Sequence, residues 1–148
     1  MKNKNKFIHN SSHLCLVAVC LLSAHFAQAN GNQQIIARSG DSAFGAPAGA
    51  LYSGFNNPVL NKNAQLAYRG FLQTGTAGVT SSNREGIWRD NTLIVRTGFQ
   101  AAGTPTGALY SSISSPVLNS KGQLAYTGLL QSGTGGVTSN NNTGFQKF

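Results

Sequence analysis

Sliding the chain against itself by 58 positions aligns residues 35–88 with 93–146, and 30 of those 54 positions are identical. A duplication of this period implies one supersecondary unit built twice, each copy too small to bury its own flanks and therefore stacked on its neighbour. The blocks in best agreement are Gly49-Ala50-Leu51-Tyr52-Ser53 with Gly107-Ala108-Leu109-Tyr110-Ser111, Pro58-Val59-Leu60-Asn61 with Pro116-Val117-Leu118-Asn119, and Gln65-Leu66-Ala67-Tyr68 with Gln123-Leu124-Ala125-Tyr126. Between them lie Gly/Ser/Thr-rich stretches such as Thr74–Ser81 and Ser132–Ser139, whose residues suit positive φ and local side-chain bonds to the backbone.

After residue 30 no segment carries the i, i+3, i+4 spacing of an amphipathic helix, so the expectation is an all-β chain. Strands are predicted at 50–55, 65–72, 85–89 and 92–97, repeated at 108–113, 123–130 and 143–147, with an extra strand at 33–38 matching 92–97. In the second strand Leu66, Tyr68, Gly70 and Leu72 share one face and Ala67 and Phe71 the other, and the second copy keeps this pattern. Two largely apolar faces fit a strand between neighbouring sheets. The predicted architecture is therefore a set of propeller-blade-like antiparallel repeats, about four short strands per period, in an incomplete ring; a β-sandwich satisfies the same pattern. Half-blades at either end would leave open edges that attract further strands, giving a route to self-association.

The first 29 residues have the three zones of a cleavable secretion signal. Lys2, Lys4 and Lys6 precede an apolar run from Leu14 to Leu22, too short to span a bilayer, and Ala27-Gln28-Ala29 offers the small side chains a signal peptidase requires. An exported domain of residues 30–148 follows, with no mature membrane span. Removing the signal also removes Cys15, Cys20, His9, His13 and His25. Residues 30–148 then hold eight cations against three acids (Asp41, Glu85, Asp90), a net of +5. Without His or Cys, neither a Ser-His nor a Cys-His nucleophile can be assembled, and thiolate or histidine metal sites are excluded. No catalytic, cofactor or metal residue is assigned. The cations are dispersed rather than clustered, which disfavours nucleic acid as a partner and leaves a cell-surface glycan or protein.

Asn61-Lys62-Asn63-Ala64-Gln65-Leu66-Ala67-Tyr68 and Asn119-Ser120-Lys121-Gly122-Gln123-Leu124-Ala125-Tyr126 resemble the NxxGxxAF tandem repeat of exported bacterial proteins. The resemblance extends through Gly86-Ile87-Trp88, Leu93–Gly98 and Gly103–Gly107. It implies a β-rich, propeller-like repeat with no established activity. Ala64 stands where the motif has Gly, and Tyr where it has Phe. Chains of that kind carry more repeats, so a truncated fragment without independent function is the alternative reading.

Three side chains are candidate ligand contacts. Trp88 is the lone tryptophan and its copy is Gln146, which leaves room for an exposed, ligand-binding ring, although core packing against the adjacent blade is the favoured reading. Arg38 and Arg96 end matching strands before Ser/Thr-Gly, where they contact either a ligand or a neighbouring loop. Asn61 and Asn119 read as turn-closing amides rather than sugar contacts. Glu85 and Asp90 are the one pair of acids close in sequence, and only through them does a carboxylate-dependent hydrolase arise as a third reading.

Overall fold

The computed structural model describes residues 33–148, of which 34–148 form one compact unit. The expected secretion signal and its cleavage point lie outside the described residues. Nine strands make up the described fold, which contains no helix and hence none long and apolar enough to cross a membrane. They are β1 (Tyr52–Phe55), β2 (Val59–Leu60), β3 (Leu66–Leu72), β4 (Glu85–Arg89), β5 (Thr92–Arg96), β6 (Tyr110–Ile113), β7 (Val117–Leu118), β8 (Leu124–Leu130) and β9 (Thr143–Lys147).

These strands form two antiparallel sheets. The first runs β1-β3-β4-β5 with β2 also on β3; the second runs β6-β8-β9 with β7 also on β8. They do not close into a ring. Equivalent positions pair identically: Ala67↔Arg89 and Gly70↔Gly86 in the first sheet become Ala125↔Lys147 and Gly128↔Gly144 in the second. Turn bonds repeat as well, for instance Gly75 N–H to Val79 O (2.9 Å) and Gly133 N–H to Val137 O (2.8 Å). A bulge falls between Tyr52 and Gly54, and another between Tyr110 and Ser112. By inserting one residue, each bulge turns two side chains three positions apart (Tyr52 and Phe55, Tyr110 and Ile113) onto a common face.

Strand alternation gives every sheet a tyrosine face and an alanine face. On the first sheet's tyrosine face Tyr52, Tyr68, Leu72 and Trp88 form one buried cluster, joined by Ala43, Ala50 and Val79. On its alanine face Ala67 and Ile87 are buried with Tyr110, Ile113, Leu124 and Tyr126 from the tyrosine face of the second sheet. β3 is apolar on both sides as expected, but only its alanine side meets a neighbouring sheet; its tyrosine side is covered by residues outside the strands, among them Ala43, Ala50 and Val79. Small Ala67 opposite aromatic rings lets the sheets approach closely.

Two strand assignments change. Residues 33–38 are not a strand: among the described residues they have no ladder partner, and the segment equivalent to β4 would be 27–31, outside the described range. Ile36 and Ala37 instead pack against the first cluster. The two-residue strands β2 and β7 were not anticipated, because two residues carry no alternation to detect.

Candidate functional site

The motif turns are built around their asparagines. Asn61 Oδ1 accepts the N–H groups of Asn63 (3.0 Å) and Gln65 (3.0 Å), while its amide donates to Gln65 Oε1 (2.8 Å). Asn119 does the same with Lys121 N–H (3.0 Å), Gln123 N–H (2.9 Å) and Gln123 Oε1 (2.8 Å). Both readings of these residues as turn-closing amides are met. The fourth motif position takes a left-handed backbone, φ +58° at Ala64 and +82° at Gly122, which explains a glycine there. The turns also sit side by side: Asn61 Nδ2 donates to Asn119 O (2.8 Å), Asn63 Nδ2 to Ser120 O (2.8 Å) and Arg89 Nη1 to Gly122 O (2.8 Å).

Trp88 is fully buried, as the core-packing reading expects, and its burial removes the ring from the candidate ligand contacts. Its indole N–H donates to Phe44 O (2.7 Å), and the ring stacks on Tyr68 at 5.9 Å and meets Tyr52 edge-on at 5.1 Å. The indole occupies the space a Cβ on Gly86 would need, approaching it to 2.5 Å, whereas nothing lies within 4 Å of that position on Gly144. In the second sheet Gln146 stands in place of the indole, and the space above Gly144 is left open.

Arg38 and Arg96 diverge. Arg96 is buried, donates from Nε to Asn83 O (2.7 Å) and lies 4.6 Å over the Phe99 ring. Burial lowers its pKa, but a guanidinium stays charged. Its role is to hold the preceding loop. Arg38 is exposed and ion-paired with Asp41 at 2.9 Å. The repeat places Asp41 where the second copy has Phe99, so the same three-residue reach ends on a carboxylate in one copy and on a ring in the other.

The two acids do not converge. Glu85 Oε2 accepts from Arg69 Nη2 (2.8 Å), and Asp90 Oδ1 accepts the Leu66 N–H (2.9 Å). They flank opposite ends of β4, about 17 Å apart at the rise of an extended strand, beyond the separation used by paired-carboxylate glycosidases. The tyrosines pair through their hydroxyls, Tyr52 with Tyr68 (3.3 Å) and Tyr110 with Tyr126 (3.2 Å). Burial raises the pKa of Tyr52, Tyr68 and Tyr126, the last two also through their hydrogen-bonded partners. No group of three or more metal-ligating side chains occurs among the described residues.

What the sequence reading missed is apolar. An open groove of about 400 Å³ lies on the first sheet's tyrosine face, lined by Ile35, Ile36, Phe55, Pro58, Leu66 and Tyr68. On the second sheet's alanine face Phe145 is 90% and Val117 65% exposed. The signal was present in the repeat: Phe145 is the copy of buried Ile87.

Residues 17–146, spanning both copies, match a family of unknown function (DUF7453). The chain belongs to DUF7453. No curated protein and no solved structure matches it. In this DUF7453 chain the candidate surface is therefore defined by its own geometry: two docked motif turns, one apolar groove and one uncovered sheet face.

Proposed function

We propose that this protein is an exported, non-enzymatic β-repeat module acting as a binding or structural scaffold, with its sheets arranged as blades of a propeller-like stack. The observation that carries the reading is the packing of unlike faces. The first sheet's alanine face meets the second sheet's tyrosine face, a stacking that can continue in one direction, whereas a sandwich of two copies would bury like faces together. The docked motif turns, with Asn at the first position and a left-handed residue at the fourth, support kinship with the NxxGxxAF repeats. Engagement of Arg69, Glu85, Asp90, Arg96 and Trp88 by the fold itself favours a scaffold over a hydrolase.

A cell-surface glycan or protein is the partner class consistent with the dispersed cations and exported context. The test is co-sedimentation of the purified protein with isolated envelope polysaccharide, with hydrolysis products assayed in the same samples. Saturable binding without product is expected. Turnover that disappears in Glu85→Gln/Asp90→Asn would replace the scaffold reading with the hydrolase.

A further inference from the structure

The repeat allows each exposed position to be compared with its buried copy. Ile87 is fully buried on the first sheet's alanine face, while Phe145 at the same place on the second is 90% exposed. Ile113 and Leu124 on the second sheet's tyrosine face are buried under the first sheet; their copies Phe55 and Leu66 line the open groove. One sheet thus shows a projecting ring where a neighbouring sheet belongs, and the other shows the groove such a ring would enter.

The strand edges tell the same story. In the first sheet β4 carries β5, with Ile87↔Val95 and Arg89↔Thr92. In the second, β9 has no outer neighbour among the described residues. Mutual bonds between Leu124 and Phe148 set the β8–β9 pairing phase, which turns the N–H groups of Phe145 and Lys147 away from β8. The copy of β5 is residues 34–38, which lack a ladder partner and include Ile35 at 77% exposure. An arginine socket is preformed as well. The loop that receives Arg96 is shaped by Asn83, whose Oδ1 accepts Thr80 N–H (2.8 Å) and whose amide donates to Gly78 O (3.2 Å). Asn141 makes both bonds again, with Thr138 N–H (2.7 Å) and Gly136 O (3.3 Å).

We propose that a second copy of this chain fills these sites, head to tail, by repeating the operation that relates the two sheets within one chain. Residues 34–38 of one copy add to β9 of another, with Ala37 opposite Phe145 and Gln34 opposite Lys147. Phe145 enters the groove of the copy that donates the strand. Arg38 leaves its exposed ion pair with Asp41, a weak contact, and donates to Asn141 O of the neighbour. The match of β4 and β5 to these segments selects a second copy rather than an unrelated strand. Contacts of this kind join different surfaces of each copy, so they close into a ring or continue as a fibre. The inference rests on the scaffold reading in treating the sheets as stacking units.

Sedimentation velocity of the full chain across a dilution series tests the association. Two sheets per chain and four to eight blades per ring give a discrete species of about two to four copies. Phe145→Glu is expected to weaken association about thirtyfold or more, as loss of a central aromatic anchor does, without changing the far-ultraviolet circular dichroism. Register is tested in a Cys15→Ser/Cys20→Ser background. Mixed Gln34→Cys and Lys147→Cys chains should form a disulfide to each other, since paired antiparallel Cα atoms lie within disulfide range, and neither variant alone should cross-link. A monomer at every concentration, an oligomer indifferent to Phe145→Glu, or Phe145 and Lys147 amides protected from exchange in the monomer would overturn the proposal. A monomer that still binds envelope polysaccharide removes the self-association alone, and an oligomer that hydrolyses it removes the scaffold reading alone.

Discussion

At the scale of single residues, the fourth motif position shows how one backbone angle selects a side chain. Ala64 holds φ +58° although a left-handed conformation disfavours any residue with a Cβ. Replacing Ala64 by Gly should raise stability by up to about 1 kcal/mol, the left-handed strain relieved less the greater chain entropy of glycine. The opposite change, Gly122→Ala, should destabilise by about 1–2 kcal/mol, because φ is +82° and the new Cβ would lie 2.7 Å from the Gln65 side chain. Urea unfolding of the two variants measures both. The buried phenols supply a pH dependence. With their pKa values raised, they stay neutral in the folded chain where the unfolded chain ionises near pH 10. Their stabilising contribution is therefore whole below about pH 10 and is lost as pH rises beyond it. Melting temperature should fall as pH rises above about 10, with tyrosinate absorbance at 295 nm appearing together with unfolding rather than before it.

At the scale of elements, readability in the sequence followed pattern length. The seven-residue β3 and β8 announced themselves by alternation, and the hairpins by Gly- and Ser-rich turns, whereas β2 and β7 were too short to register. Residues 33–38 failed as a strand for a different reason: their sequence matches β5, but a strand also needs a partner, which local pattern does not encode. For Trp88 the missing copy left an exposed ring open beside the favoured core packing. In fact the two sheets differ at that spot, with an indole above Gly86 and open space above Gly144. Trp88→Ala should cost about 3–5 kcal/mol by leaving a cavity among Tyr52, Tyr68 and Leu72. Conversely, Gly86→Ala drives a methyl into the indole and should lower the urea midpoint, whereas Gly144→Ala should leave it nearly unchanged. Denaturation of the three variants separates a core indole from an exposed one.

At the scale of the whole molecule, duplication has produced two sheets with one sequence pattern and unequal surroundings. The first sheet contributes to both buried clusters; the second contributes one face to one of them. Stability is then a property of the stack rather than of each copy, as in other repeat arrays. The same position should therefore have opposite energetic weight in the two copies. Ile87→Ala removes a fully buried side chain from the junction between sheets and should cost about 2–4 kcal/mol. Phe145→Ala at the equivalent site should stay within about 0.5 kcal/mol in dilute monomer, because the ring contributes little while exposed. Raising protein concentration should change only the second result: if Phe145 becomes the contact between copies, its truncation acquires a cost that grows with assembly by mass action. Urea titrations of both variants at low and high protein concentration read this directly. Equal losses at both positions in the monomer would mean that the second sheet's alanine face is already covered within one chain.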